Sequence, residues 1–275
     1  MDMYILLALL IYTCILVLFG CYFYARTKTS NEFALGDRSV NYFVTAIGAQ
    51  ASDMSGWLML AFPAAIYLHG LFEAWTAIGL VIFMFLNWHF IAPRLRIKTE
   101  QTSSYTLSSL FDAYFHDTNG VLRLTSACLS LVFFFCYIAS GIVGMGRVFE
   151  SLFTLNYHIG ITIGVAIVLI YTMLGGFLAV AWSNVFQGLF LLAMIILVPV
   201  YGFFHLDNGI ASITTAAAAH HISLSLGHSL HTFAYALFHA LGWGLGYFGQ
   251  PQILVYFMGI DDPKKISYAK YVGIT

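Results

Sequence analysis

Residues 48–57 read GAQASDMSGW, and Asp53 is the only Asp, Glu, Lys or Arg in the apolar stretch 42–67 around them. It stands about twelve residues into that stretch, which at ~1.5 Å rise per residue is near the middle of a bilayer-crossing helix. A carboxylate at that depth is costly and marks an ion or solute path by default. The flanking Gly, Ala and Ser permit close backbone approach and let helical hydrogen bonding lapse, so that freed carbonyls can face a cation. The stretch therefore predicts an interrupted transmembrane helix. The plainer reading, a structural carboxylate satisfied by neighbouring hydroxyls or amides, is compatible with it.

The surrounding composition supports a membrane setting. Of 275 residues, 60% are hydrophobic and only 8% charged, against roughly 25% charged in a soluble domain. So few charges cannot make a water-facing surface. With a net charge of -1 and no basic block, nothing neutralises phosphates, so no nucleic acid is expected as a partner. Abundant aromatic and aliphatic residues exclude disorder. Membrane lipid is the expected surround. Cys14, Cys21, Cys128 and Cys136 lie in apolar runs without metal-ligand spacing and read as inert packing residues. The N-terminal run lacks a basic n-region and a small-residue cleavage site, so it reads as a retained anchor.

Seven stretches are long and apolar enough to span, at 3–24, 42–67, 71–92, 123–147, 159–177, 184–204 and 231–257. Ten of the 11 basic residues fall on one side of that arrangement: Arg26, Lys28, Arg38, Arg94, Arg96, Lys98, Arg123, Lys264, Lys265 and Lys270. Only Arg147 falls on the other. Basic loops stay cytoplasmic, so the N-terminus is predicted outside and the C-terminus inside. The runs are too continuous for the strands of a membrane barrel. The fold class is thus all-α integral membrane. The linker 93–122 is polar with a Thr/Ser/Tyr stretch, and the linker 205–230 is rich in Ala, Ser and His and predicted extracellular.

Span seven carries a second interruption, HALGWGLGYFGQPQIL over 239–254, with four glycines and Pro251. Proline removes an amide donor and glycine weakens a helix, so a break or hinge is expected there. Trp243 and Tyr247 are four apart, share a face on α-helical geometry and could wall a small apolar ring; an aromatic pair at a helix contact is the bland alternative. Two interrupted helices in a membrane domain point to a secondary transporter. Half-helix N-termini would face a carboxylate and unwound carbonyls a Na⁺.

Other classes fare worse. A retinal protein needs a lysine in its last span, and no Lys lies between Lys98 and Lys264. A seven-helix membrane receptor or sensor remains as an alternative, as does a symporter for another small amino acid or organic solute. A channel would need a filter or charged ring that the sequence does not offer. An enzyme would rest on His220, His221, His228, His231 and His239, which without accompanying carboxylates or cysteines read as solvated loop residues. Thr45, Gln50 and Gln187 read as cavity-lining or interhelical groups.

Four segments carry a resemblance: GAQASDMSGWLML (48–60), FFFCYIASGIVGMGRVFES (133–151), GGFLAVAWSNVFQ (175–187) and GWGLGYFGQPQIL (242–254). Together they resemble the solute:sodium symporter family, most closely its proline-carrying branch. The resemblance implies a LeuT-type inverted-repeat transporter fold within a single transmembrane domain over 1–275. Residues 3–24 would be an extra leading helix, 42–204 the first five-helix repeat and 231–257 the first helix of the second. The remainder of that repeat is absent, so a truncated fold of about seven transmembrane helices is expected.

By position, the resemblance also implies roles. The carbonyls of Ala51 and Met54 would hold Na⁺, with Asp53 as the acidic residue for ion coupling and Ser55 and Gly56 shaping the unwound segment. Tyr137, Trp243, Tyr247 and Pro251 would form the L-proline pocket, and Arg38 matches a loop arginine. Where the family carries an acid in a WTD segment, this chain has Asn184, which keeps hydrogen bonding and weakens the cation attraction that an inner Na⁺ release step would use. Na⁺ is the expected coupling ion, with no cofactor besides. The implied location is the inner (cytoplasmic) membrane, and a complementary C-terminal half is an expected partner, without which coupled transport is not expected.

Overall fold

The structure, a computed structural model, describes residues 3–227 and 230–274, with the backbone alone at 230–232. It is built from helices. α1 (Met3–Tyr24) is followed by the short α2 (Ser30–Leu35). Thr29 and Glu32 form a reciprocal capping box on α2, which satisfies amides that the helix start leaves open. The main-chain amides of Lys28 and Thr29 hold the Glu32 carboxyl below the usual carboxylate range. α3 (Tyr42–Asp53) starts on Asn41, whose side chain accepts from Val44 N at 2.9 Å.

Beyond α3 come a π-helical turn (Trp57–Ala61) and α4 (Phe62–His69). α5 (Ala74–Leu86), a second π turn (Asn87–Ile91) and α6 (Ala92–Gln101) form one long helical run. α7 (Leu107–Phe115) leads to α8 (Val121–Phe153) and α9 (Tyr157–Phe204). α10 (Ile210–Ala219) precedes α11 (Leu230–Gly244), a 3-10 segment (Leu245–Gly249), α12 (Pro251–Gly259) and α13 (Ile266–Ile274). Four described helical runs are long and apolar enough to cross a membrane: Met3–Tyr24, Leu71–Gln101, Val121–Phe153 and Tyr157–Phe204.

Several element boundaries differ from the sequence reading. Residues 178–183, read as a linker, are helical, and the chain bends instead at Gly176 (φ 59°, ψ -153°) within α9. Only glycine adopts that backbone readily, and a straight helix of 48 residues would run ~72 Å, far beyond a bilayer core. The polar linkers are also partly ordered. α6 extends nine residues past 92 to Gln101, α7 fills part of 93–122, and α10 lies within 205–230.

Small residues set the helix contacts, as expected where lipid supplies no hydrophobic drive between helices. On α1, Gly20 lies against the Tyr171 backbone of α9, and on α8 and α9 Gly146 and Gly164 receive Tyr157 and Met145. Gly79 of α5 meets the backbone of Ala240 in α11. The core gathers around α12, where Leu254, Tyr256, Phe257 and Met258 are all buried. By contrast α8 keeps little more than Gly146, Phe149 and Phe153 buried. The four cysteines are free and exposed, so they stand on the outer surface of the helices and are not packing residues of the core.

One end of the bundle is tied by main chain. Val40, just before α3, pairs in parallel with Ile260, just after α12. Val40 N donates to Gly259 O at 3.1 Å and Asp261 N donates to Val40 O at 2.8 Å. Arg96 of α6 clasps the same point, its Nε donating to Ile260 O at 2.7 Å while Nη1 pairs with Glu100 at 2.7 Å.

Candidate functional site

The two expected interruptions are present, and they meet. α3 ends at Asp53, and Met54 turns the backbone to φ -68°, ψ 90°. The amide of Ser55, which would have capped the Ala51 carbonyl, has thereby left the helical path. In the second helix Gln250 is extended (φ -76°, ψ 104°) and Pro251 begins α12 at its first position, where a missing amide is tolerated.

Side chains join the two breaks. The Tyr247 hydroxyl donates to Asp53 Oδ2. The Ser52 hydroxyl donates to Ala49 O at 2.7 Å and reaches Gln252 O at 3.4 Å. From α8 the Tyr137 hydroxyl donates to Ser52 O at 3.5 Å and lies in electrostatic reach of Asp53. Ser55 Oγ accepts from Trp57 N at 3.2 Å, and the Trp57 ring stacks 4.9 Å from that of Trp243. Gly56 is exposed with open space where a side chain would project. Among the described residues no lysine, arginine or histidine forms an ion pair with Asp53. A half-buried carboxylate beside two tyrosine hydroxyls, at the end of a helix whose Ala51 carbonyl is released, is a donor set suited to a hard cation.

A cavity of 540 Å³ opens between α8 and the second break, lined by Tyr137, Phe133, Gly246, Gly249, Gln250, Pro251 and Gln252 among others. It brings Tyr137 and Pro251 together in one lining. Trp243 and Tyr247 are not part of its lining. Residues 245–249 are 3-10, at about three residues per turn instead of 3.6, so the fourfold spacing does not make one wall: Tyr247 turns inward onto Asp53, while Trp243 stays half exposed against Trp57.

Other expected residues lie off this cluster. Asn184 Nδ2 donates to the Tyr256 hydroxyl at 2.8 Å, and Gly188, one turn further along α9, abuts Ala51. Arg38 lies at the tied end, its Nη2 donating to Thr99 O at 2.7 Å and Ser104 O at 3.0 Å. Burial first, then the neighbouring Arg96, press its guanidinium below the ordinary arginine range. Asp37 and Arg38 both have positive φ, 49° and 54°, a conformation that these two carbonyl bonds help to hold. Gln50 and Gln187 make interhelical bonds, to Gly273 O and the Tyr12 hydroxyl, while Thr45 is fully buried with no partner for its hydroxyl. His220 lies against Tyr67 and His239 against Phe72; His228 and the His231 side chain lie outside what is described.

Sequence reasoning missed Asn87. It is fully buried in the second π turn, and its Nδ2 donates to Tyr247 O at 2.8 Å, fixing the 3-10 segment that aims Tyr247 at Asp53. Its Oδ1 has no partner. A lone amide after thirteen residues of apolar helix was the available signal.

With this geometry in view, the class is defined. A family model described as the Sodium:solute symporter family matches residues 33–275, and the chain belongs to that family, which comprises secondary transporters and not enzymes. The family and the apolar helices make it a multi-pass protein of the cytoplasmic membrane. Its relatives include the osmoregulated proline transporter OpuE of Bacillus subtilis, 38% identical over 100% of this chain and 56% of the relative. The sodium/proline symporter of Salmonella typhimurium is 40% identical over 94% of this chain and 52% of its own length. Among solved structures, the substrate-bound outward-open state of a Na⁺-coupled sialic acid symporter matches with a TM-score of 0.80 at 18% identity, over 96% of this chain and 56% of that one. The fold is therefore of the LeuT type. The chain spans about half the length of the curated relatives it matches.

Proposed function

We propose that this chain supplies the Na⁺ site and part of the solute pocket of a symporter for L-proline. The observation that carries the reading is the Asp53 carboxylate, placed at the meeting of two helix breaks and, among the described residues, paired with no cationic side chain. The carbonyls of Ala51 and Met54 flank it and would ligate Na⁺, with Asp53 supplying the charge that attracts the ion and Ser55 and Gly56 keeping the segment unwound. Proline is compact and zwitterionic. Its ring fits the apolar Tyr137 and Pro251 side of the 540 Å³ cavity, a volume within the ordinary range for small-ligand sites. Trp243 and Tyr247 would border the solute from the other side of the break. Asn184, neutral where the family has an acid, would hold Tyr256 in place without drawing a cation. The relatives named as proline transporters support the choice of solute.

The relatives extend well beyond the matched region, and in this reading coupled transport would draw on what that remaining length supplies. The exposed surface of α8, with Phe133 at the cavity 70% and Phe135 77% accessible, supports docking of such a complementary C-terminal half. Reconstituted alone into proteoliposomes with an inward Na⁺ gradient, the 275-residue chain is expected to give no concentrative uptake of labelled proline. Co-expression with the C-terminal half of OpuE is expected to restore it. Strong uptake by the chain alone would remove the need for a second segment, and restored uptake of a different amino acid in preference to proline would overturn the substrate.

A further inference from the structure

The face between α6 and α7 carries chemistry that the transport reading does not use. After Gln101 the chain turns through residues 102–106, pinned by Arg38 and by a Thr106 cap, and α7, packed against α8, faces α6 across a gap. The two helices leave a cavity of 490 Å³ between them. Its walls are hydrocarbon, chiefly Leu95, Leu110, Phe111 and Phe115, and its rim carries Arg94 and Lys98 with no carboxylate in the lining. These cations are one helical turn apart and so share a face. Each is steadied over an aromatic ring, Arg94 at 6.0 Å from Phe90 and Lys98 at 5.7 Å from Tyr114. Neither forms an ion pair among the described residues, whereas the nearby Arg96 pairs with Glu100 and Arg123 lies 3.7 Å from Asp112.

We propose that this groove is a binding site for an anionic glycerophospholipid, its phosphate bridging Arg94 and Lys98 and one acyl chain lying along Leu95, Leu110 and Phe111. Three features select this occupant. The unpaired cations need an anion, and a protein helix burying only apolar residues would leave both unmatched. α7 shows the partition of an interfacial helix, with Leu110 buried and Phe111, Tyr114 and Phe115 exposed. The segment also sits on the side that carries ten of the 11 basic residues, where a cytoplasmic leaflet presents its anionic lipids. A free phosphate would use the rim and leave the apolar groove idle.

The test is lipid retention by the full 275-residue chain purified from bilayers of equal phosphatidylglycerol and phosphatidylcholine with matched acyl chains. Mass spectrometry of the bound lipid is expected to show phosphatidylglycerol enriched about tenfold. The double variant Arg94→Gln, Lys98→Gln changes only exposed side chains and is expected to return the ratio to that of the bilayer. Phe111→Ser is expected to lower the total lipid retained, and millimolar glycerol phosphate is expected not to displace it. Equal retention of the two lipids, an unchanged ratio in the double variant, or displacement by glycerol phosphate would overturn the site. So would cross-linking of two copies through Phe111→Cys with exclusion of lipid.

Discussion

Asp53→Asn is expected, if the proposed Na⁺ site is right, to weaken Na⁺ binding by roughly 100-fold, since it removes the one charge that the described residues place there. The measurement is the Na⁺ concentration dependence of proline binding or uptake by the chain assembled with a complementary C-terminal half. Asparagine keeps an oxygen for the Tyr247 hydroxyl to donate to, so the packing of the two breaks against each other survives and the loss isolates the charge. Tyr247→Phe makes the complementary comparison. It removes the donor and leaves the carboxylate, so a smaller loss is expected, about tenfold. If Asp53→Asn left the Na⁺ dependence intact, the carboxylate would be a structural acceptor for Tyr247 and the ion would have to be held elsewhere.

Gly79→Val is expected to be the most damaging substitution at a helix contact. A Cβ at Gly79 would fall on the Cα, Cβ and carbonyl oxygen of Ala240. Backbone cannot swing aside as a flexible side chain does, so α5 and α11 would have to separate. Overpacking of this kind costs roughly 1–3 kcal/mol. Separation would also displace the 3-10 segment that follows α11, and with it Tyr247. Thermal unfolding in detergent should show a midpoint about 5 °C lower. Gly242→Ala on the same helix is the control, since nothing lies within 4 Å of the added carbon and alanine favours the helix by about 1 kcal/mol. An unchanged midpoint for Gly79→Val would mean that the two helices are not held in the contact described.

The sequence made the two breaks legible because each was written as a local conflict. Asp53 is a charge amid apolar residues, and Pro251 with four nearby glycines contradicts the helix around it. The location of α9's bend was harder to read. Residues 175–187 are apolar enough to continue a span, and only the conformation at Gly176 shows where the turn falls. Partners distant in sequence were invisible for the same reason. Asn87 meets Tyr247 160 residues away, and Gln50 meets Gly273 223 residues away, and nothing local to either amide announces its acceptor. The Trp243 and Tyr247 pair shows a subtler limit. Their spacing was sound for an α-helix, but the chain tightens to 3-10 at Leu245 and rotates Tyr247 away.

The parallel pairing of Val40 with Ile260 has a mechanical implication. The same end of both fractured helices is stitched by amides, with an arginine as the button, so a substitution at either residue short of proline leaves those amides in place. Parting that rim would break both main-chain bonds together, and Arg96, reaching in from α6 to Ile260 O, is placed to register it.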